Sequence, residues 1–468
     1  MIWPAFIISQ VKFSGSLVPL LIIILIGLFL RLYNIGQAFP FDYDQQVGAE
    51  ASYNFFVNHR ITLVGQELSF LGFFLGPLHN WIQFIPYGLC NLLPDCVPYF
   101  YIGIGLLTAI LLYLVLKLIL DKKTAIIATG IYAISFATIS FERGVNSNYF
   151  LFLTSIGILF YLYKFFLGKN HYFIFGAFFT GLAVVNFNPV FIFSTIAFFL
   201  TSLTRKNKNL AIFFFGILAF FVNYTPLLIF NFRHSNILGD SFSKFIAASS
   251  ATTDYFERFV FLVRHVVTPF LSNYLFQSAD KFFMLTTVIL IAVGLYQVFK
   301  IKDKFLLFLP IWIMVTVFGF VFYKGHIPDY YFQQILLPFV VLVALSLRKN
   351  LIIFIAFCAI FLFTNLIRIA DFQSGINYKT KKEVINFVIN DAKEASFNVY
   401  YDMPPGLNTG YGYLFKALGH EPQEGGKNLY ILKFSDPTRF PGYKYHITFP
   451  NKSISLKTIG FVHIVSVK

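Results

Sequence analysis

Two aspartates, Asp42 and Asp44, stand two residues apart in the stretch AFPFDYDQQ (residues 38–46), directly after the apolar run LVPLLIIILIGLFLRLYNI. On an extended segment, side chains at i and i+2 project to the same side. Carboxylates brought that close raise one another's pKa, which leaves one of them able to accept a proton near neutral pH. The same pair could instead chelate a divalent cation, the one cofactor this pattern suggests. An arbitrary D-x-D merely solvates a loop. What gives this pair weight is its place: it ends an apolar run and precedes QQVGAEASYNFFVNHR, which can form a helix lying on a bilayer, and then GPLHNWIQFIPYGLCNLL (residues 76–93).

The elements that must position these acids are set by composition. The chain has 468 residues, is 57% hydrophobic and 12% charged, and has a mean hydropathy of +0.71. So little polar surface cannot cover a soluble protein of this length, so the chain is expected to cross a membrane several times. The 64 phenylalanines suit spans and interfacial belts. The net charge of +15 does not imply a nucleic-acid partner, because the basic residues form no compact patch; they come as short clusters between apolar segments. The first run lacks a small-residue cleavage site, having Arg31, Tyr33 and Asn34 there instead, and reads as an uncleaved span.

Runs near the 20 apolar residues a spanning helix needs predict 11 spans, at about 17–34, 98–119, 124–141, 148–166, 172–187, 189–203, 210–230, 283–300, 305–323, 331–347 and 350–369. Residues 76–93, with two prolines plus Trp81 and Tyr87, read as an interfacial or re-entrant helix. With a cytoplasmic N-terminus, Lys122/Lys123, Lys164/Lys169, Arg205/Lys206/Lys208, Lys300/Lys302/Lys304 and Arg348/Lys349 all fall inside, as the positive-inside rule asks. Of the 21 acids, all but Asp121 and Asp303 then fall outside, in the outer loops (chiefly a first loop, 35–97, and a second large loop, 231–282) or in the tail, so any chemistry is expected there.

Beyond residue 370 the pattern changes. KTKKEVINFVINDAKEA has helical periodicity, and SFNVYYDM, KNLYILKF and SISLKTIGFVHIVSV read as strands. Residues 371–468 are therefore expected to be a small extracytoplasmic α/β domain behind a transmembrane domain of 1–370. Cys90 and Cys96 read as free thiols that could pair only in an oxidising compartment, and Cys358 as packing. No phosphate-binding loop, dinucleotide fingerprint or zinc-ligand spacing is present in the sequence.

The arrangement resembles the GT-C superfamily of membrane glycosyltransferases, and within it the protein O-mannosyltransferases and aminoarabinose transferases. Four stretches carry the resemblance in order: DYDQQ, with Asp44 at the place of the family's first acid and Gln45 where Glu is common; GPLHNWIQFIPY; FERGVNSNYFLFLTSIGILFYLY, with Arg143 followed five residues later by Asn148; and DYYFQQILLPFVVLVA, in which Tyr330 precedes LLP. The resemblance implies a GT-C-like fold and inverting transfer of a sugar from a polyprenyl-phosphate donor to a glycan, lipid or protein acceptor at the outer surface. Membrane lipids are the other partners.

Such a reaction needs a base for the acceptor hydroxyl, which falls to Asp44 with Asp42 in support. It also needs cations for the leaving phosphate. Arg143, Arg233, His234, Lys324 and His326 all fall on the outer side, with His79 a further candidate; anchoring by snorkelling is the plain alternative for the cations. A lipid-linked oligosaccharide polymerase or ligase and a transporter or flippase are the competing functions. The first would favour Arg- and His-rich outer loops, the second ionisable groups at mid-membrane.

Overall fold

The computed structural model describes residues 17–68, 72–205, 209–241, 254–323, 327–372, 375–393, 395–435, 443 and 453–467. A chain in hydrocarbon must satisfy its own backbone donors and acceptors, and a helix does so within one segment. The apolar runs accordingly form helices: α1 (Val18–Leu32), α2 (Tyr43–Phe56), α3 (Leu78–Leu89), α4 (Val97–Ile119), α5 (Lys122–Ile134), α6 (Phe136–Arg143), α7 (Phe150–Phe166), α8 (Tyr172–Asn186), α9 (Ile192–Leu203), α10 (Leu210–Val222), α11 (Thr225–Arg233), α12 (Tyr255–Phe276), α13 (Lys281–Ile301), α14 (Phe308–Phe322), α15 (Leu336–Leu347) and α16 (Leu351–Asp371). Eleven segments coincide with the expected spans: six single helices long and apolar enough to cross a membrane, two bent pairs (α5–α6 by 53° and α10–α11 by 50°) and three shorter apolar helices, α1, α8 and α9. α2 and α3 are the interfacial helices of the first loop; α3 has 12 residues and an internal Pro86.

α12 is long and apolar enough to cross a membrane, although its residues fall in the second outer loop expected from sequence. It does not cross. Its start packs on the C-terminal end of α14, where Tyr255 meets Phe322, and its end leads into the N-terminus of α13. α13 and α14 are consecutive spans, so those two ends lie on one side, with α12 between them.

The opposite side gathers the basic turns. Asp121 caps α5 through Thr124 and accepts from Arg348 Nη1 at 2.7 Å, Arg205 donates to Asn170, and Phe305 packs on Tyr163 and Phe166. The turns that carry the basic clusters thus share one end of the bundle, as the charge pattern asks.

The bend between α5 and α6 frees backbone groups inside the membrane, and side chains take them up. Asn365 accepts from Phe136 N of the bend at 2.7 Å, and Asn365 and Ser135 also tie the bend to the end of α12, donating to Leu275 O at 2.7 Å and Tyr274 O at 2.9 Å. The bend aims α6 at the acid-bearing end. There Glu142 pairs with Arg31 of α1: Arg31 Nη2 donates at 2.8 Å, Nε also donates, and both side chains are fully buried. Gly105 makes the room, since a Cβ there would overlap the Glu142 carboxylate. A buried charge without its partner costs far more than the pair contributes. Glu142→Gln should therefore destabilise the fold by about 3–5 kcal/mol, read as a lower unfolding midpoint in detergent. An unchanged midpoint would show that the pair is dispensable.

The tail opens with α17 (Tyr378–Ala392), followed by β1 (Phe397–Asp402), α18 (Tyr411–Ala417), β2 (Asn428–Phe434), β3 (Ser453–Ile459) and β4 (Val462–Val467). The sheet order is β1-β2-β4-β3, with β1 parallel to β2 and the other pairs antiparallel. Val384, Ile385, Val388 and Ala392 bury one side of α17. The last strand expected from sequence is a hairpin that turns at Gly460, whose φ is 54°.

Candidate active site

Asp42 is the N-cap of α2, and its backbone N–H donates to Gln45 Oε1 at 2.9 Å in a capping box. Asp44 therefore sits in the first turn of a helix, not on an extended segment. The two acids diverge. Asp44 faces a cavity of about 380 Å³, whereas Asp42 turns to the tail domain and pairs with Lys381 at 2.9 Å. Gln45 adds a second anchor, donating through Nε2 to Gly144 O just beyond α6. α2 packs closely on α3 at Gly48, where a Cβ would overlap the Gln83 side-chain amide.

The cavity is built where several connections on this side converge. The first loop supplies Asp44, Gln66 and Glu67; the α6–α7 connection Asn146, Ser147 and Asn148; the α8–α9 connection Asn188 and Pro189; and the segment joining α14 to α15 Tyr323, Tyr330 and Tyr331. Asn188 donates to Asn148 Oδ1 at 2.8 Å, so two of these connections are tied across the cavity wall. Tyr330 stands close enough to Asp44 to feel its charge. Asp44 accepts from Gln66 Nε2 at 2.5 Å. Burial raises its carboxyl above the usual aspartate range, the Gln66 hydrogen bond partly offsets this, and the charge of Asp42 adds to it. A carboxylate so placed has a higher proton affinity than a solvated one and opens onto a space large enough for a sugar. A carboxylate in that position is able to accept a proton from a group bound in the cavity.

The structure separates the other expected site residues. Asn148 and Tyr330 line the cavity with Asp44. Arg143 is buried and donates to the carbonyls of Leu30 at 2.6 Å, Arg31 at 3.3 Å and Tyr33 at 2.5 Å, so it closes the C-terminal end of α1 and is not on the cavity wall. His79 is core: burial lowers its pKa to about 4, and its Nε2 lies 2.7 Å from the Tyr101 hydroxyl. Arg233 and His234 are exposed at the end of α11, away from the cavity wall, with His234 stacked on Phe230. Lys324 and His326 lie outside the described residues. Cys90 and Cys96, read as free thiols, form a disulfide between α3 and α4.

The cavity wall carries no basic side chain among the described residues. A cation absent from the expected set stands beside it. Arg258, on α12, donates through Nη2 to the carbonyl of Tyr323. Its signal lies in the charge of an otherwise apolar stretch, YFERFVFLV, within the second outer loop. Among the described residues no group of three or more His, Cys, Asp or Glu is arranged to hold a metal ion. Asp44 and Glu67 are the carboxylates facing the cavity.

Residues 76–230 match the family described as dolichyl-phosphate-mannose-protein mannosyltransferase. No curated protein matches the sequence. Among solved structures, the chain is similar to ArnT from Cupriavidus metallidurans bound to undecaprenyl phosphate. The identity is 11% and the TM-score 0.61, covering 97% of this chain and 99% of that one. It also resembles the archaeal oligosaccharyltransferase AglB from Archaeoglobus fulgidus, in complex with an inhibitory peptide and a dolichol-phosphate. There the identity is 13% and the TM-score 0.52, over 86% of this chain and 63% of that chain.

Proposed function

We propose that this integral membrane protein, which has the GT-C fold of membrane glycosyltransferases, transfers a sugar, with inversion, from a polyprenyl-phosphate donor to an acceptor hydroxyl on the extracytoplasmic face. The observation that carries this is Asp44: a half-buried carboxylate of raised pKa on the wall of a cavity at the acid-rich end of the bundle. In the reaction the acceptor oxygen forms a bond to the anomeric carbon as the bond from that carbon to the phosphate oxygen breaks. The phosphate keeps the electron pair, and Asp44 takes the hydroxyl proton. Tyr330, Asn148 and Asn188 are the polar neighbours available to the sugar.

The lipid tail has a path. An apolar groove of about 400 Å³ runs between α9 and α14, lined by Phe193, Ile196, Met314, Phe318 and Phe322. Its last residue, Phe322, adjoins Tyr323 of the cavity, so a phosphate at the junction would lie beside Arg258. Lys324 and His326 follow directly in the sequence and belong to the same proposed set of cations. Should a divalent cation take part in the cavity, Asp44 and Glu67 are the carboxylates on its wall, whereas Asp42 faces the tail domain, where its Oδ1 accepts from Lys381. A transporter reading finds less support, since the buried ion pair of Arg31 and Glu142 is locked between helices and lines no cavity.

Mass spectrometry of lipid-linked and surface glycans in cells with and without the gene tests the reaction class. Unchanged glycans would remove it. Orientation is tested by cysteine labelling in a Cys358→Ser background. Ser396→Cys in the tail and Thr204→Cys at the basic end are the two reporter positions, each accessible to solvent at its end of the molecule. An impermeant maleimide on intact cells should label the first and miss the second, and the reverse result would invert the topology.

A further inference from the structure

The tail domain contributes no residue to the cavity wall among the described residues, yet it grips the helix that carries Asp44 at several points. Lys381 of α17 is the deepest. Its side chain is entirely buried, a state an ammonium tolerates only when its donors are met. Three acceptors meet them: Phe41 O at 2.6 Å, Asp42 Oδ1 at 2.9 Å and Thr409 O at 2.8 Å. The first two belong to the residues immediately before α2. Farther along α2, Gln46 Oε1 accepts from Gly410 N at 2.6 Å, and Lys416 lies 3.7 Å from Glu50 and over the ring of Tyr53. Gly410, at φ 84°, is required for the approach, since a Cβ would stand 2.5 Å from Phe41 O.

Asp44 is thus set between two anchors. On the membrane side Gln45 holds Gly144; on the tail side Lys381 holds Phe41 and Asp42. We propose that Lys381 is a positioning residue, which fixes the first turn of α2 through Phe41 and Asp42 so that Asp44 keeps its place on the cavity wall. The tail domain thereby acts on turnover through α2 and without contributing to the cavity. This rests on the reading of Asp44 as the base. Misplacing a reacting group by about 1 Å can cost on the order of 10²-fold in rate, so a clamp on one helical turn has leverage on kcat.

The test compares Lys381→Met with Lys382→Met in the full-length protein. Lys382 makes an equally well-formed tail contact, to both Asp95 oxygens at 2.8 Å, but does not touch α2. K381M should lower kcat roughly 10- to 100-fold with donor KM within about twofold, and should speed amide hydrogen exchange over residues 43–50. K382M should leave kcat and that exchange as they are. If K381M keeps kcat per folded molecule, or if exchange over 43–50 does not change, the inference fails. Where K381M does not fold, Gln46→Ala removes one tail-to-α2 bond and decides the matter: kcat falls about threefold or more with faster exchange, or the clamp is absent. The exchange result stands apart from the base assignment. Wild-type turnover by an Asp44 variant removes that assignment, and the amides of 43–50 then decide for or against Lys381 by themselves.

Discussion

Asp44→Asn should lower sugar transfer by about 10²-fold or more while donor affinity changes little. The substitution keeps the size and the ability to accept from Gln66, so the helix start and the cavity shape survive; only the proton acceptor is lost. The pH dependence follows from the direction of the shift. A base works deprotonated, and burial raises the Asp44 pKa. On acidification its activity is therefore lost at a higher pH than an ordinary aspartate would give. Gln66 opposes the shift by donating to the carboxylate. Gln66→Leu should then move the acid limb of the pH–rate profile to still higher pH, whereas D44N should abolish that limb. Steady-state transfer from a polyprenyl-phosphate sugar, measured across pH for the three proteins, checks both. A D44N protein with wild-type rates at every pH would make Asp44 a solvated helix residue and end the catalytic assignment.

The parts of the fold that depend on local pattern are legible in the sequence, and the parts that depend on long-range pairing are not. Span positions follow from apolar runs, and the gathering of the basic turns at one end follows from charge alone. Asp44 stands out by its place after the first span. The divergence of Asp42 is also written locally, because D-x-x-Q before a helix is a capping-box pattern; reading the segment as extended hides it. Arg143 is ambiguous in sequence for a different reason. An arginine at the outer end of a span suits a phosphate and a helix C-terminus equally, and only the position of α1 decides for the carbonyls of Leu30, Arg31 and Tyr33. The ion pairs Arg31–Glu142 and Lys381–Asp42 join residues far apart in sequence, and no periodicity announces them. α12 is hidden by Arg258, Arg264 and His265, charges that a spanning helix avoids.

Arg258→Ala should weaken polyprenyl-phosphate binding roughly ten- to a hundredfold, because a hydrogen bond to a charged group contributes about 1.5–3 kcal/mol. The position carries the argument. The donor's tail must stay in hydrocarbon while its reacting carbon reaches Asp44, so the phosphate has to lie where the apolar groove meets the cavity. That junction is Phe322 and Tyr323, and Arg258 reaches it from α12, with its guanidinium on the Tyr323 carbonyl and the neighbouring Phe259 stacked on Phe318 of the groove. A helix with both ends on one side can present a cation at this depth without burying it in lipid. As the bond to the sugar breaks, negative charge grows on the phosphate, and a cation already in place stabilises it without reorganising. The variant should therefore lose kcat as well as affinity. Arg258→Lys keeps the charge but not the planar fork, and should fall between the two. Binding of a polyprenyl phosphate to detergent-solubilised protein, with the unfolding midpoint as a control for the lost bond to Tyr323, separates the outcomes. Unchanged binding by R258A at an unchanged midpoint would make Arg258 a surface anchor of α12 and leave the phosphate to other cations of this face.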